Sequence, residues 1–135
     1  MLLPKKIIVL LIVAFIVLFK FYNSYAEKFG YPVDNPIVSQ TYNNYYSGRG
    51  YHTGIDYSQS SGLNIISSAS GVVDFIVTLN ENDHNMGNCV IIKHTLVTGG
   101  YVYSLYAHLN SIESGITVGT NVYKGQKIGV MGGSG

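Results

Sequence analysis

His52 and Asp56 stand four residues apart in the stretch GRGYHTGIDYS, with Gly54 between them, in a chain of 135 residues that has four histidines. A neutral imidazole and one carboxylate make half of a zinc site, because an open catalytic zinc takes three protein ligands and leaves the fourth position for water. The competing explanation is a surface histidine beside a turn aspartate. Geometry limits how the two side chains can meet. On an extended strand they lie about 13 Å apart at roughly 3.3 Å per residue, too far for zinc bonds of about 2.0–2.2 Å. A helix brings i and i+4 together, but Gly54, the preceding Ser-Gly-Arg-Gly and the following Ile-Asp-Tyr-Ser are poor helix material. The stretch therefore predicts a bend or bulge near Gly54 that turns both side chains toward one point.

These residues resemble the first metal motif of the lysostaphin-type zinc endopeptidases, peptidase family M23, which reads H-x-x-x-D and usually H-x-G-[IV]-D-[YF]. Here it is His52-Thr-Gly-Ile-Asp56-Tyr57, preceded by Gly-Arg. The likeness continues in order over roughly residues 47–135. SSASGVVDFI is similar to the family's strand and turn before its core, MGNCVIIKH to its G-N-x-V-x-I-x-H stretch, and YSLYAHLNSI to its Y-x-H-L-S segment. VGTNVYKGQKIGVMGGSG is similar to its G-x-x-V-x-x-G-Q-x-I-G-x-x-G-x-[ST]-G run. The resemblance implies that His52 and Asp56 are zinc ligands. It also implies that His108, the histidine of the Y-x-H-L segment, lies beside the metal and orients the attacking water or stabilises the oxyanion. The cofactor so implied is Zn2+, a Lewis acid toward a peptide carbonyl, and the substrate is the peptide of bacterial cell-wall peptidoglycan. His94 falls where the family uses no metal ligand and reads as structural, and His84, in NENDHNMGN, reads as solvated.

The family closes its site with an H-x-H pair, typically in P-H-L-H-F, a short way beyond the G-x-[ST]-G turn, and takes from it the third ligand and a second catalytic histidine. The sequence in hand reaches Gly135 at that turn. It is therefore read as part of a longer protein, a domain incomplete at its C-terminus, with little or no activity in these residues alone. The rival reading is a non-catalytic module of the same ancestry that binds the wall or regulates its hydrolysis; a downstream H-x-H separates the two. VGTNVYKGQKIGVM also resembles half of a biotinyl or lipoyl carrier hairpin, but no lysine stands at the hairpin tip. GVMGGSG lacks the GK[ST] and the helix of a phosphate loop.

Positioning the three site residues falls to β-strands. From residue 27 onward Gly, Asn, Ser and Tyr separate short β-branched runs, and no stretch keeps helical periodicity. The fold class is mainly β, with antiparallel sheets in a sandwich or compact barrel, and the resemblance narrows this to the duplicated hybrid motif of lysostaphin-type peptidases. Strands are predicted over 63–67, 72–79, 89–94, 101–108, 121–122 and 127–131. Within 101–108, alternation puts Val102, Ser104, Tyr106 and His108 on one face and Tyr101, Tyr103, Leu105 and Ala107 on the other; both faces are partly apolar, so this strand is central. Residues 30–49 read as a loop-rich lead-in whose tyrosines either cover the sheet or line a groove for a peptide or sugar.

The N-terminus carries a different signal. IIVLLIVAFIVLF, residues 7–19, follows Lys5 and Lys6 as an h-region follows an n-region. It is shorter than the roughly 20 apolar residues of a spanning helix, and Ser24 and Ala26 offer small residues before a cut at Glu27. Residues 1–26 are predicted as a signal peptide or, with Lys20 snorkelling and Phe21 and Tyr22 at an interface, as a hydrophobic helical membrane anchor. Either way residues 27–135 form an exported domain. Without Lys5, Lys6 and Lys20, five basic residues face seven acidic ones, which leaves no footprint for nucleic acid. Cys89 is the sole cysteine, so no internal disulfide is available, and within CVII it reads as a small buried hydrophobe. Nothing in the sequence fixes an oligomeric state.

Overall fold

The computed structural model describes residues 28–59, 62–78 and 86–133. The predicted signal or anchor over 1–26, with its hydrophobic helix, and His84 lie outside the described residues. Among the described residues, no helix is long and apolar enough to cross a membrane. Regular structure there consists of strands, all paired antiparallel. A six-stranded sheet runs in the order β5 (Asn64–Ile66), β10 (Lys127–Met131), β8 (Tyr101–Ile112), β7 (Asn88–Thr95), β6 (Gly71–Val77), β9 (Asn121–Val122). Two small sheets pair β1 (Val38–Gln40) with β4 (Asp56–Tyr57) and β2 (Tyr45–Tyr46) with β3 (Gly50–Tyr51).

Each of the six predicted strands is present, and β8 is central, between β10 and β7. Residues 30–49 depart from expectation, because they hold β1 and β2. Strands of two or three residues are too short to display a period of two. The core gathers Val73, Val90, Ile92, Leu109 and Ile128 of the large sheet, β-branched for the most part and suited to a pleated, buried surface. Val33 and Ile116, both outside strands, join it. Cys89 is buried, as its place in CVII predicts. β10 passes so close to β8 that a Cβ on Gly129 would stand 2.7 Å from the Ser111 carbonyl oxygen, which accounts for glycine inside KIGVM.

His94 is 3% exposed and belongs to this scaffold. Its Nδ1 lies 2.9 Å from the Ser70 carbonyl and its Nε2 2.8 Å from Ser104 Oγ. Ser104 Oγ is 3.0 Å from Tyr106 Oη, which accepts a 2.8 Å bond from the Ser68 N–H. Tyr106 Oη thus accepts from both the Ser68 N–H and Ser104 Oγ, and the His94 ring joins this chain to the Ser70 carbonyl. Phe29 closes the site edge-on, with ring centroids 4.8 Å apart. Tyr106→Phe leaves Ser68 N–H and Ser104 Oγ each short of a partner in a dry site, and is expected to lower the unfolding free energy by about 1–3 kcal/mol. The measurement is the urea midpoint at constant m-value; an unmoved midpoint contradicts the network.

Candidate metal centre

The chain bends at Gly54 between β3 and β4, as the sequence predicts. His52 is tied to the turn 41–44 through its backbone and its ring. Its N–H donates to the Asn44 carbonyl at 2.8 Å, and its own carbonyl accepts from Asn43 N–H at 2.8 Å. Asn43 holds φ at 62°, a left-handed conformation that asparagine tolerates better than most residues. Nδ1 of His52 lies 3.3 Å from the Thr41 carbonyl oxygen. Asp56 arrives on β4, opposite Gln40 of β1. The result is a separation of 3.2 Å between His52 Nε2 and Asp56 Oδ1.

That separation suits a shared cation. Two ligands bonded at about 2.0–2.1 Å and a tetrahedral angle stand about 3.3 Å apart. Either neutral tautomer of His52 faces one oxygen, Thr41 O or Asp56 Oδ1, with a bare nitrogen lone pair. A second proton on the ring, or a metal at Nε2 with Nδ1–H kept on Thr41, satisfies both ends; a backbone carbonyl behind a ligating histidine is the usual second support. The side chain of Asp56 is 47% exposed, so the pair contributes little to folding stability. Tyr46 packs edge-on to the His52 ring at 6.3 Å. Behind Asp56, burial and, second, the neighbouring Tyr31 push the Tyr57 phenol above its ordinary range, so that it stays protonated. Histidine nitrogen and carboxylate oxygen are donors that zinc accepts, so the residues present fit half of such a site. Among the described residues, no cluster of three or more His, Cys, Asp or Glu completes it.

His108 reaches the same cleft by an irregularity that strand alternation does not predict. β7 and β8 pair Val90 with Tyr106 and Asn88 with Leu109, so β8 spends three steps where β7 spends two. The extra residue is a bulge at Ala107–His108, and His108 takes φ 58°, at a cost on the order of 1 kcal/mol. Tyr106 and Leu109 are both buried, whereas His108 is exposed. The expectation that His108 shares the face of Tyr106 is therefore corrected, because the added residue shifts the alternation by one. The bulge is tied from outside: His108 N–H donates to the Met86 carbonyl at 2.9 Å. Asn88 Nδ2 donates to the Leu109 carbonyl at 3.0 Å and to the Asn110 carbonyl at 3.3 Å.

His52, Asp56 and His108 line one open cleft of about 1030 Å³ together with Gln40, Tyr46 and Arg49. Such a volume takes a peptide-sized ligand. Tyr46 thus belongs to a groove, whereas Tyr45 packs edge-on to Tyr51 at 5.3 Å on the neighbouring hairpin. Gln40 and Arg49 were not singled out by sequence reasoning. The dipeptide Gly-Arg before the histidine motif was the available signal for Arg49.

The sequence model of peptidase family M23 matches residues 50–135. No curated protein gives a significant match. Among solved structures, a zinc-containing peptidase from Vibrio cholerae aligns with a TM-score of 0.68 and 24% identity, over 82% of this chain and 33% of that one. The catalytic domain of the prophage-encoded M23 protein EnpA from Enterococcus faecalis aligns at 0.62 with 27% identity, over 84% and 78%. Helicobacter pylori Csd3 aligns at 0.60 with 26% identity, over 78% and 28%. The chain thus spans about a third of the length of the Vibrio protein, and the antiparallel fold is common to all three.

Asn88→Ala removes the side chain that ties down the bulge while leaving the β7 backbone in place. Amide hydrogen exchange at His108 and Leu109 is expected to accelerate up to about tenfold, which corresponds to about 1.4 kcal/mol, with exchange in the rest of β8 little changed. Unaltered exchange at both amides contradicts the assignment.

Proposed function

We propose, from the premise that the chain belongs to peptidase family M23, that it is the greater part of a zinc metalloendopeptidase domain acting on peptide bonds of bacterial cell-wall peptidoglycan. The observation that supports this reading most is the 3.2 Å approach of His52 Nε2 to Asp56 Oδ1 in a cleft that His108 also lines. His52, held from behind by the Thr41 carbonyl, and Asp56 hold the ion. In the family the third protein donor belongs to an H-x-H pair, and His52 and Asp56 are the two donors these residues supply. Zinc, when bound, supplies Lewis acidity at the scissile carbonyl.

The chain's own residues do the rest. His108 orients the attacking water or stabilises the oxyanion from its place on the cleft wall. Gln40 of β1 and the β2–β3 hairpin wall the cleft and orient the peptide. Export directed by residues 1–26, as signal peptide or anchor, brings the domain to the side of the membrane where peptidoglycan lies.

In the full-length natural protein, the expected stoichiometry is about one zinc per chain, measured by elemental analysis after dialysis. His52→Ala and Asp56→Ala are expected to lose both the metal and wall hydrolysis. His108→Ala keeps the metal and lowers kcat by about 10²–10⁴-fold. Wall binding without hydrolysis, indifferent to all three substitutions, favours the non-catalytic module instead; full hydrolysis by His52→Ala refutes the metal assignment.

A further inference from the structure

We propose that Arg49 is a specificity-determining residue that anchors a free carboxylate of the peptide lying in this cleft; the inference rests on the peptidase reading above and names the substrate feature that the site selects. Arg49 is the only arginine in the 135 residues. Among the described residues it is also the only permanently cationic side chain lining the cleft that holds His52, Asp56 and His108. Among the described residues it takes part in neither of the two ion pairs, His52–Asp56 and Lys127–Glu113. Among the described residues that line the cleft, the one carboxylate, Asp56, faces His52 instead. A cation exposed at the rim of a cleft and lacking an internal partner is available to an anionic ligand.

Its backbone is held in place. Arg49 ends a three-residue loop between β2 and β3 that is closed by its N–H donating to the Tyr46 carbonyl at 3.0 Å. Gly48 and Gly50 flank it at φ 82° and 84°, a left-handed region that strains any residue with a Cβ. Below the loop, the Tyr45–Tyr51 ring pair braces the two strands. The loop thus has a fixed base, and the guanidinium has the reach of a long side chain. A planar guanidinium grips a carboxylate through two parallel N–H bonds, which a lysine ammonium cannot do. Wall peptides carry such groups at their D-alanine termini and at side-chain carboxylates, so the anchor selects bonds set a fixed distance from a free carboxylate.

The test uses the full-length protein and a tetrapeptide ending in D-alanine, prepared as free acid and as C-terminal amide. Wild type is expected to bind the acid about tenfold more tightly than the amide, the difference given by one charge-assisted contact, and to lose part of that preference as salt rises. Arg49→Gln abolishes the preference without changing affinity for the amide, and Arg49→Lys retains only a salt-sensitive remainder. Thermal unfolding monitors that the variants fold. Equal binding of acid and amide by wild type, or an undiminished preference in Arg49→Gln, overturns the proposal. Wall hydrolysis by Arg49→Gln with unchanged product pattern sinks the anchor and leaves the peptidase reading standing. An Arg49-dependent acid preference in a protein that hydrolyses nothing supports the anchor and sinks that reading.

Discussion

The ring of His52 is held by the turn it packs against, and the cleft takes its geometry from that restraint. Two backbone hydrogen bonds tie residue 52 to Asn43 and Asn44, and Nδ1 faces the Thr41 carbonyl. An imidazole held in this way has one nitrogen left to offer, and Nε2 points to Asp56. Without the turn, a histidine four residues from an aspartate would be free to swing into solvent. The short strands β1 and β2 exist to present this turn, which is why so little regular structure around residues 38–46 carries so much of the site.

The second support is the long strand β8. Its first part gives Ser104 and Tyr106 to a buried polar chain ending on His94, and its last part gives Leu109 to the core. Between them a single bulge presents His108 to the opposite environment. One strand therefore serves as core, as hydrogen-bonded brace and as carrier of a site residue. Asn88 on β7 links these roles, because its side chain holds the carbonyls just past the bulge while its neighbours Cys89 and Val90 are fully buried.

How much of this the sequence discloses depends on the range of the interaction responsible. The bend at Gly54 is legible because it follows from four consecutive residues and the lengths of bonds. The six strands of the large sheet are legible because β-branched runs bounded by Gly, Asn and Ser are local signals. His94 reads as structural because it falls where the family resemblance puts no metal ligand, and its polar partners agree. The bulge at 107–108 is hidden, since register is a property of two strands and YSLYAHLNSI describes one. The strands β1 and β2 are hidden by brevity, and Arg49 enters the cleft only once the β2–β3 hairpin folds back. The family likeness names His108 but says nothing of how the backbone delivers it.

The phase shift in β8 also bears on how this sequence can change over generations. The side of the sheet on which each residue from 109 onward emerges is set by a count of residues, not by their chemical type. Substitutions around Ala107 leave that count intact, but loss or gain of one codon between Tyr106 and Leu109 would exchange inside for outside along the rest of the strand. Length in this short interval should therefore be under stronger selection than identity, a pattern opposite to that of ordinary surface loops.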